Sequence, residues 1–507
     1  MTQPFISTRC GLGEPFLGRS AESAAALLGW EPQGRVSGSA SLAEQVRAYV
    51  HDRATRDKYV ASADTYLKSK RPSLDKEYDV LLVGGGLHAA LFLYTFRRHD
   101  PDSSVLVVEG TSSLCSTFYK LGDSLILNSP TFSKVGLNSN LVPGHFIQLS
   151  DFDELEDRPF PTAKHLYELT TMMLFHADAD VLFDFAVQDV SKVGGRYSVS
   201  GKERSIHSRS VIIANGAGDA RSDSFRRDKS SERIIAGDEF IADYHVGNLH
   251  PERIQNKAVA VVGAGDTANS VMERFLPLTY PHREYGLLTE APFLPRVLFW
   301  VGQRAADMPQ FYAGNKRRYC HSGGVIEYFW GGDSPFELSQ ETWSRTKLLV
   351  VRAPEKLVSI RHTSSGLDLR TSTERFDVDL LVDCTGRHNA LSTELLRAPR
   401  DYLEGDIVLS GGHYDHQLER FDASPRLLES KRVACRLRNE DIYFIGSAGP
   451  LEELVDDDEA KDGSLRHQER QSSITNSKWS LEHTLPRTLA FARMHVEHLR
   501  GRTGGPG

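Results

Sequence analysis

The sequence predicts an α/β fold with two dinucleotide-binding units, the second inserted in the first, behind a helical N-terminal extension. Two observations carry this expectation. Two apolar strands run directly into glycine-rich turns of identical spacing, and several later apolar strands end in small residues. The strands show no polar face, as parallel sheets covered on both sides require.

The first unit lies in Tyr78 to Gly110. Val80 to Val83 reads as the buried strand, and Gly84, Gly86 and Ala89 follow at G-x-G-x-x-A spacing. Gly84 permits the tight turn, Gly86 lets the backbone approach a pyrophosphate, and Ala89 keeps the helix Leu87 to Arg98 close to the sheet. The phosphates then rest on a helix N-terminus. A second strand, Val105 to Val108, ends in Glu109, 25 residues after Gly84. That carboxylate is placed to accept hydrogen bonds from a ribose diol.

The pattern returns in Lys257 to Leu276, with Gly263, Gly265 and Ala268 at the same spacing and Asp266 and Thr267 between them. Two such motifs in one chain point to two bound dinucleotides and to a pair of Rossmann-like domains. The next strand is expected over Glu284 to Thr289, ending at Glu290, with Arg296 just beyond. Glu290 on a ribose hydroxyl would select NADH, whereas Arg296 on a 2′-phosphate would select NADPH. Arg296 tilts the expectation to NADPH, with NADH the alternative.

The chain has 507 residues, enough for two or three domains with their own cores. A hydrophobic share of 40% and a net charge of −8 describe an ordinary soluble protein with no general attraction to nucleic acid or anionic membrane. Five cysteines, scattered and without a C-x-x-C pair, speak against a disulfide framework, a zinc site and a redox-active disulfide. No metal site is expected, and the acidic run Asp456 to Glu459 reads as a solvated loop. No apolar run approaches the roughly 18 residues of a membrane span. With no signal-peptide core at its start, the chain is expected in the cytoplasm. The sequence leaves a homo-oligomer open.

The expected division is a helical extension over 1–75, the first dinucleotide domain over 76–255, the second over 256–374 and the remainder of the first over 375–507. Helices are read over Ala21 to Leu28, Ser41 to Tyr66, Thr162 to His176 and, closing the chain, Ser480 to Leu499. An aromatic-rich stretch at about 297–345 reads as an insertion in the second domain. Phe118 to Phe152 is polar and broken, suited to wrapping the reactive end of a cofactor. Strands are read over Phe183 to Val190, Arg196 to Ser200, Ser210 to Gly218, Leu348 to Val351, Leu357 to Arg361, Leu367 to Leu369, Asp379 to Cys384 and Asp441 to Gly449. Thr385-Gly386 reads as the return to the first domain. Val187, Asn215, Gly216, Thr385, Gly386, Gly446 and Ser447 join the candidate cofactor contacts.

The two glycine motifs, with strand-turn passages at Ala214-Asn215-Gly216, Cys384-Thr385-Gly386 and Gly446-Ser447-Ala448, resemble the layout of the two-dinucleotide-binding-domain flavoproteins. The resemblance implies FAD at the first site and a nicotinamide nucleotide at the second. Disulfide reductases of that superfamily need a cysteine pair, which this chain lacks, so the class B flavin monooxygenases are the nearer branch. Leu125 to Leu169 is similar to the flavin-containing monooxygenase segment in which an Asn-Ser step precedes a D-F-P-x-P passage: here L-I-L-N-S, then S-D-F and R-P-F-P. Carried over, Asn128 lies beside the flavin where oxygen reacts.

A shorter likeness, D-S-P-F at Asp333 to Phe336, is shared with the microbial ornithine and lysine N-hydroxylases and tilts the expectation to nitrogen as the atom oxidised. The fingerprint F-x-G-x-x-x-H of the branch is reduced to Ile235 to Tyr244 without its histidine, which puts Baeyer–Villiger chemistry in doubt. The resemblance implies reduction of FAD by the nicotinamide, formation of a C4a-hydroperoxyflavin with O2, and oxygen transfer to a small amine or amino acid. The alternative is a flavin oxidoreductase that inserts no oxygen.

Overall fold

The apolar run before the first glycine turn becomes the middle of a parallel sheet. β1 (Glu77–Val83) pairs with β2 (Val105–Val108) on one side and with β6 (Ser205–Ile213) on the other, Val83 lying opposite both Val108 and Ile213. β3 (Asp180–Leu182) extends the sheet past β2, and β18 (Ile442–Phe444) extends it past β6. β17 (Cys435–Arg436) closes that edge antiparallel, and the hairpin of β4 (Asp189–Val193) and β5 (Arg196–Ser200) attaches to β6. The structure is a computed structural model of the chain and describes residues 14–30, 39–125, 145–157, 161–202, 204–216, 218–220, 232–245, 251–263, 266–275, 295–302, 349–352, 355–395, 435–436, 440–448 and 485–503.

A second sheet is wholly parallel. It comprises β8 (Ile234–Ala236), β9 (Ala258–Val262), β10 (Val297–Val301), β11 (Leu349–Arg352) and β15 (Leu380–Asp383) in the order β11-β10-β9-β15-β8. All five residues of β9 are buried, as an uninterrupted apolar strand predicts. The antiparallel sheet of β12 (Leu357–His362), β13 (Leu367–Thr371) and β14 (Arg375–Val378) packs Leu357, Leu367, Leu369 and Val378 against its Ala258, Ala260, Val262 and Leu381. A short ribbon, β7 (Asp219–Ala220) with β16 (Arg387–His388), lies where the chain leaves the first sheet and where it leaves the second. The described residues thus form one mixed sheet with a parallel centre and one wholly parallel sheet inserted in it along the chain, with an antiparallel sheet and a short ribbon beside them.

Two expectations about this region change. The second sheet draws its strands from 234 to 383, wider than 256–374, and β15 with its Thr385-Gly386 turn belongs to it rather than to the first domain. Val297 to Val301, read as the start of an insertion, is a core strand beside β9, because V-L-F-W-V is an apolar β-branched and aromatic run. The expected strand at Glu284 to Thr289 and most of the stretch after 302 lie outside the described residues. So do the acidic run and Asp333 to Phe336.

The N-terminal extension forms α1 (Glu14–Leu27), α2 (Ser39–His51) and α3 (Arg53–Ser69). The stretch read as helical over Ser41 to Tyr66 is divided in two, because Asp52 in extended conformation accepts from the Thr55 N–H at 2.9 Å and starts a new helix there. The three helices share one core with α4 (Leu87–His99), α7 (Ala163–His176) and the C-terminal helix 485–503. Arg56, fully buried on α3, fixes them: its Nε donates to Glu168 at 2.8 Å, Nη2 pairs with Glu154, and the guanidinium lies 4.0 Å over the Phe152 ring. The extension is therefore built into the first domain's core.

Phe183 to Val190 does not form the single strand expected. β3 stops at Leu182, and Asp184 in the left-handed region (φ 54°) turns the chain before it resumes as β4. Val187 consequently sits in an irregular passage, half-buried against the cluster that contains Tyr197 and Val199. No helix among the described residues is long and apolar enough to cross a membrane.

Candidate functional site

The first turn is dictated by a close backbone crossing. Gly84 has φ +104°, and a Cβ there would fall 2.7 Å from the Asn215 Cα and 2.8 Å from the Ala214 carbonyl oxygen. Only glycine fits between the ends of β1 and β6. Gly86, by contrast, faces open space, and it caps α4 without any side-chain hydrogen bond. The first N–H groups of α4 are thus left without a capping side chain at a turn with room beside it, which is the arrangement that receives a pyrophosphate. Ala89 is fully buried against the sheet.

Glu109 is tied into the same turn. Its Oε2 accepts from the Gly85 N–H at 2.8 Å, and its Oε1 accepts from the Thr111 N–H and hydroxyl, both at 3.0 Å. Burial pushes its pKa up, and hydrogen bonds from Gly85, Thr111 and the Gly110 N–H oppose the shift. A carboxylate offers about four acceptor positions. Oε2, which accepts from the Gly85 N–H, carries fewer of these bonds than Oε1.

Two residues at this turn were not singled out from the sequence. His88, the second residue of α4, lies against Gly446, where a Cβ would come within 2.6 Å of the imidazole ring. Burial pushes the His88 pKa down to about 4, so the ring is neutral near pH 7. Its position in the gap between Gly86 and Ala89 was the available signal. Asn389 exchanges side-chain hydrogen bonds with Asn215, donating at 2.6 Å and accepting at 3.1 Å, and it also donates to the Gly216 carbonyl at 2.7 Å. Asn215 and Gly216 (φ +70°) are thereby clamped to the strand returning from the second sheet.

The second turn repeats the construction. Gly263 has φ +124°, and a Cβ would fall 2.2 Å from the Cys384 carbonyl oxygen. Its N–H donates to Val301 and its carbonyl accepts from the Trp300 indole N–H, each at 2.8 Å. Ala268 is buried, Thr267 is half-buried, and Asp266 opens α9 (Asp266–Phe275). Gly265 lies outside the described residues. Gly237, the glycine of the reduced fingerprint, is packed so tightly that a Cβ would lie 2.6 Å from both the Cys384 Sγ and the Thr267 Cγ2. Thr385 donates its N–H and hydroxyl to Asp383 Oδ1 at 3.0 and 2.7 Å, and Gly386 (φ +113°) faces open space. Gly446 and Ser447 stand in a short turn after β18, at the carboxyl edge of the first sheet.

Arg296 is corrected. Its N–H donates to Lys257 at 2.7 Å, one residue before β10 begins, so it stands at the amino edge of the sheet. Five strand residues at about 3.3 Å each separate it from the carboxyl edge, where nucleotides bind. It does not reach a 2′-phosphate there. After β10 the sequence continues Gly302-Gln303-Arg304, with the last two outside the described residues.

Asn128 and Glu290 also lie outside the described residues. The approach to Asn128 is nevertheless fixed: the Leu125 carbonyl accepts from the Ala163 N–H at 2.9 Å, and the Ser124 carbonyl accepts from Arg274 on α9. Leu125 is buried in one cluster with Ala268, Val271 and Met272 of the second unit. Among the described residues, no group of three or more histidine, cysteine and acidic side chains could hold a metal ion.

No protein-family model matches the chain, and no curated protein matches it in sequence. Among solved structures, the chain is similar to the ornithine N-hydroxylase of Kutzneria sp. 744 at 15% identity, over 83% of this chain and 100% of that one, with a TM-score of 0.48. It is similar to the L-lysine 6-monooxygenase of Pseudomonas syringae at 14% identity, over 84% and 99% of the two chains, with a TM-score of 0.46. A thioredoxin reductase of Lactococcus lactis is also similar, at 12% identity, over 83% and 100%, with a TM-score of 0.41.

Proposed function

We propose that this protein is a flavin-dependent NAD(P)H monooxygenase, with FAD at the turn of Gly84 and Gly86 and NADPH at the turn of Gly263, that hydroxylates the nitrogen of a small amine or amino acid. The observation that carries the reading is the pair of glycine turns. In each, a Cβ would collide with the exit of a neighbouring strand, and each opens onto the N-terminus of a helix.

FAD, when bound, supplies the hydride acceptor and the activation of O2. The chain supplies the rest. The N-terminus of α4 takes the pyrophosphate, and Glu109 takes a ribose hydroxyl. His88, neutral and packed on Gly446, separates two glycine passages without adding charge. Asn128 would offer its side-chain amide beside the flavin, a role that rests on the family resemblance alone.

Oxygen insertion is favoured over dithiol chemistry by the described cysteines. Cys115 and Cys384 are free and buried; burial pushes the Cys115 thiol up to about 12 and the Cys384 thiol well above its ordinary range. Neither is a nucleophile near pH 7.

The test is stopped-flow absorbance of the flavoprotein, reduced anaerobically with NADPH or NADH and then mixed with isotopically labelled O2 and candidate amines. The expected outcome is a transient absorbing species before oxidised flavin returns, and one labelled oxygen atom in the product. Direct reoxidation with no labelled product would instead establish an oxidoreductase without oxygen insertion. The faster reductant identifies the nucleotide.

A further inference from the structure

We infer that Asp383 binds the nicotinamide half of the second nucleotide, its free carboxylate oxygen accepting a hydrogen bond from a ribose hydroxyl. This rests on the reading of the second turn as a nicotinamide-nucleotide site, and it names a residue that no glycine motif includes.

Asp383 is the last residue of β15, aligned with Val262 of β9 and Ala236 of β8. The residue is 5% exposed. Oδ1 is occupied by the two hydrogen bonds from Thr385, but Oδ2 is enclosed and has no hydrogen-bond partner. An enclosed carboxylate oxygen without a donor costs on the order of 1–3 kcal/mol, and folded proteins leave few such atoms. A bound molecule that brings the donor would remove the penalty.

The position within the sheet indicates which part of the molecule arrives. β10 lies on one side of β9, and β15 and β8 lie on the other, so the carboxyl ends of β9 and β15 flank the switch point where a dinucleotide crosses. With the pyrophosphate at the start of α9, the adenosine half extends toward β10 and the nicotinamide half toward β15. Beside Asp383, Gly237 is pressed against Cys384 and Thr267, while Gly386, the residue after Asp383's partner Thr385, faces open space. A carboxylate accepts and repels phosphate, so its partner must be a hydroxyl or amide donor. The ribose hydroxyls of the nicotinamide half meet that requirement.

Asp383→Asn keeps an acceptor for Thr385 and replaces the free oxygen with an N–H donor. Calorimetric titration of the purified flavoprotein would compare NADP⁺ with its adenosine half, 2′,5′-ADP, and NAD⁺ with ADP. The expected result is a loss of roughly tenfold or more in affinity for the whole dinucleotide, with the half-molecule bound as tightly as before. Unchanged dinucleotide affinity would overturn the inference, because Oδ2 would then be satisfied without the ligand. An equal loss for both ligands would also overturn it, since Asp383 would only be shaping the turn. If the asparagine variant does not fold, Asp383→Ser is read by the same two comparisons. Failure of the wild-type protein to bind any of the four ligands would instead remove the reading of the second site, and the inference with it.

Discussion

Three imidazoles buried in the first domain have their protons assigned by their neighbours or their surroundings. His145 Nδ1 lies 2.6 Å from the Ile147 carbonyl, which can only accept, so Nδ1 carries the proton. His145 Nε2 must then accept from His176 Nδ1 at 2.8 Å, and His176 Nε2 accepts from the Tyr59 hydroxyl at 2.6 Å. Each of the four ring nitrogens of this relay then has a partner with both rings neutral. Tyr59→Phe leaves His176 Nε2 buried and unpaired, so a loss of about 1–3 kcal/mol is expected in denaturant unfolding; an unchanged midpoint would remove the relay. Burial holds His145, like His88, near 4 and His176 well below its ordinary 6.5. A folded pKa below the unfolded one means stability present above 6.5 and lost as pH falls toward about 4, by up to about 1.4 kcal/mol per pH unit for each ring. Imidazole resonances that titrate near 6.5 in the native protein would contradict this. Asn128 belongs to the same scale: Asn128→Ala should keep FAD and its reduction but release the oxygen as hydrogen peroxide, and unchanged coupling of NADPH use to product would take Asn128 out of the chemistry.

Among the elements, the turn after β1 and the helix α3 carry the sharpest expectations. Gly84→Ala adds a Cβ 2.7 Å from the backbone of Asn215 at a φ that alanine resists by about 1–2 kcal/mol. Purified Gly84→Ala protein should contain little flavin, measured as the ratio of visible to ultraviolet absorbance; full occupancy would mean that the crossing of β1 and β6 yields easily. Arg56 holds α3 to α7 through Glu168 and to the preceding turn through Glu154. Arg56→Met leaves two carboxylates without their cation and should cost about 3–5 kcal/mol. A chevron or melting midpoint close to wild type would show the extension to be only loosely attached. Glu168, which burial already pushes up, would be expected to protonate in that variant.

Across the molecule, named contacts join the two units among the described residues. The β7 and β16 ribbon and the Asn215 and Asn389 pair lie beyond the carboxyl ends of β6 and β15, whereas the Arg274 contact with Ser124 is made from the last turn of α9. The segment leading to Asn128 thus starts against α9, the helix that opens at the second site. The Ser124 carbonyl is held by Arg274 of a helix that belongs to the second unit.

Local sequence determined the two turns. Gly84, Gly86, Ala89, Gly263 and Ala268 could be read because each answers a requirement of a strand-turn-helix passage within a dozen residues, and the apolar strands beside them could be read because burial on both faces leaves no polar positions. The tertiary structure decided what depends on strand order. Which strand neighbours β9 could not be deduced from spacing, so Arg296 looked like a ribose-side residue although it stands at the amino edge of β10. That β15 joins the second sheet, that Asp383 has a free oxygen, that His88 packs on Gly446 and that Arg56 is buried among acids all rest on contacts between distant segments. Periodicity reports which residues are buried, but only the pairing of strands fixes which end of each strand faces the site.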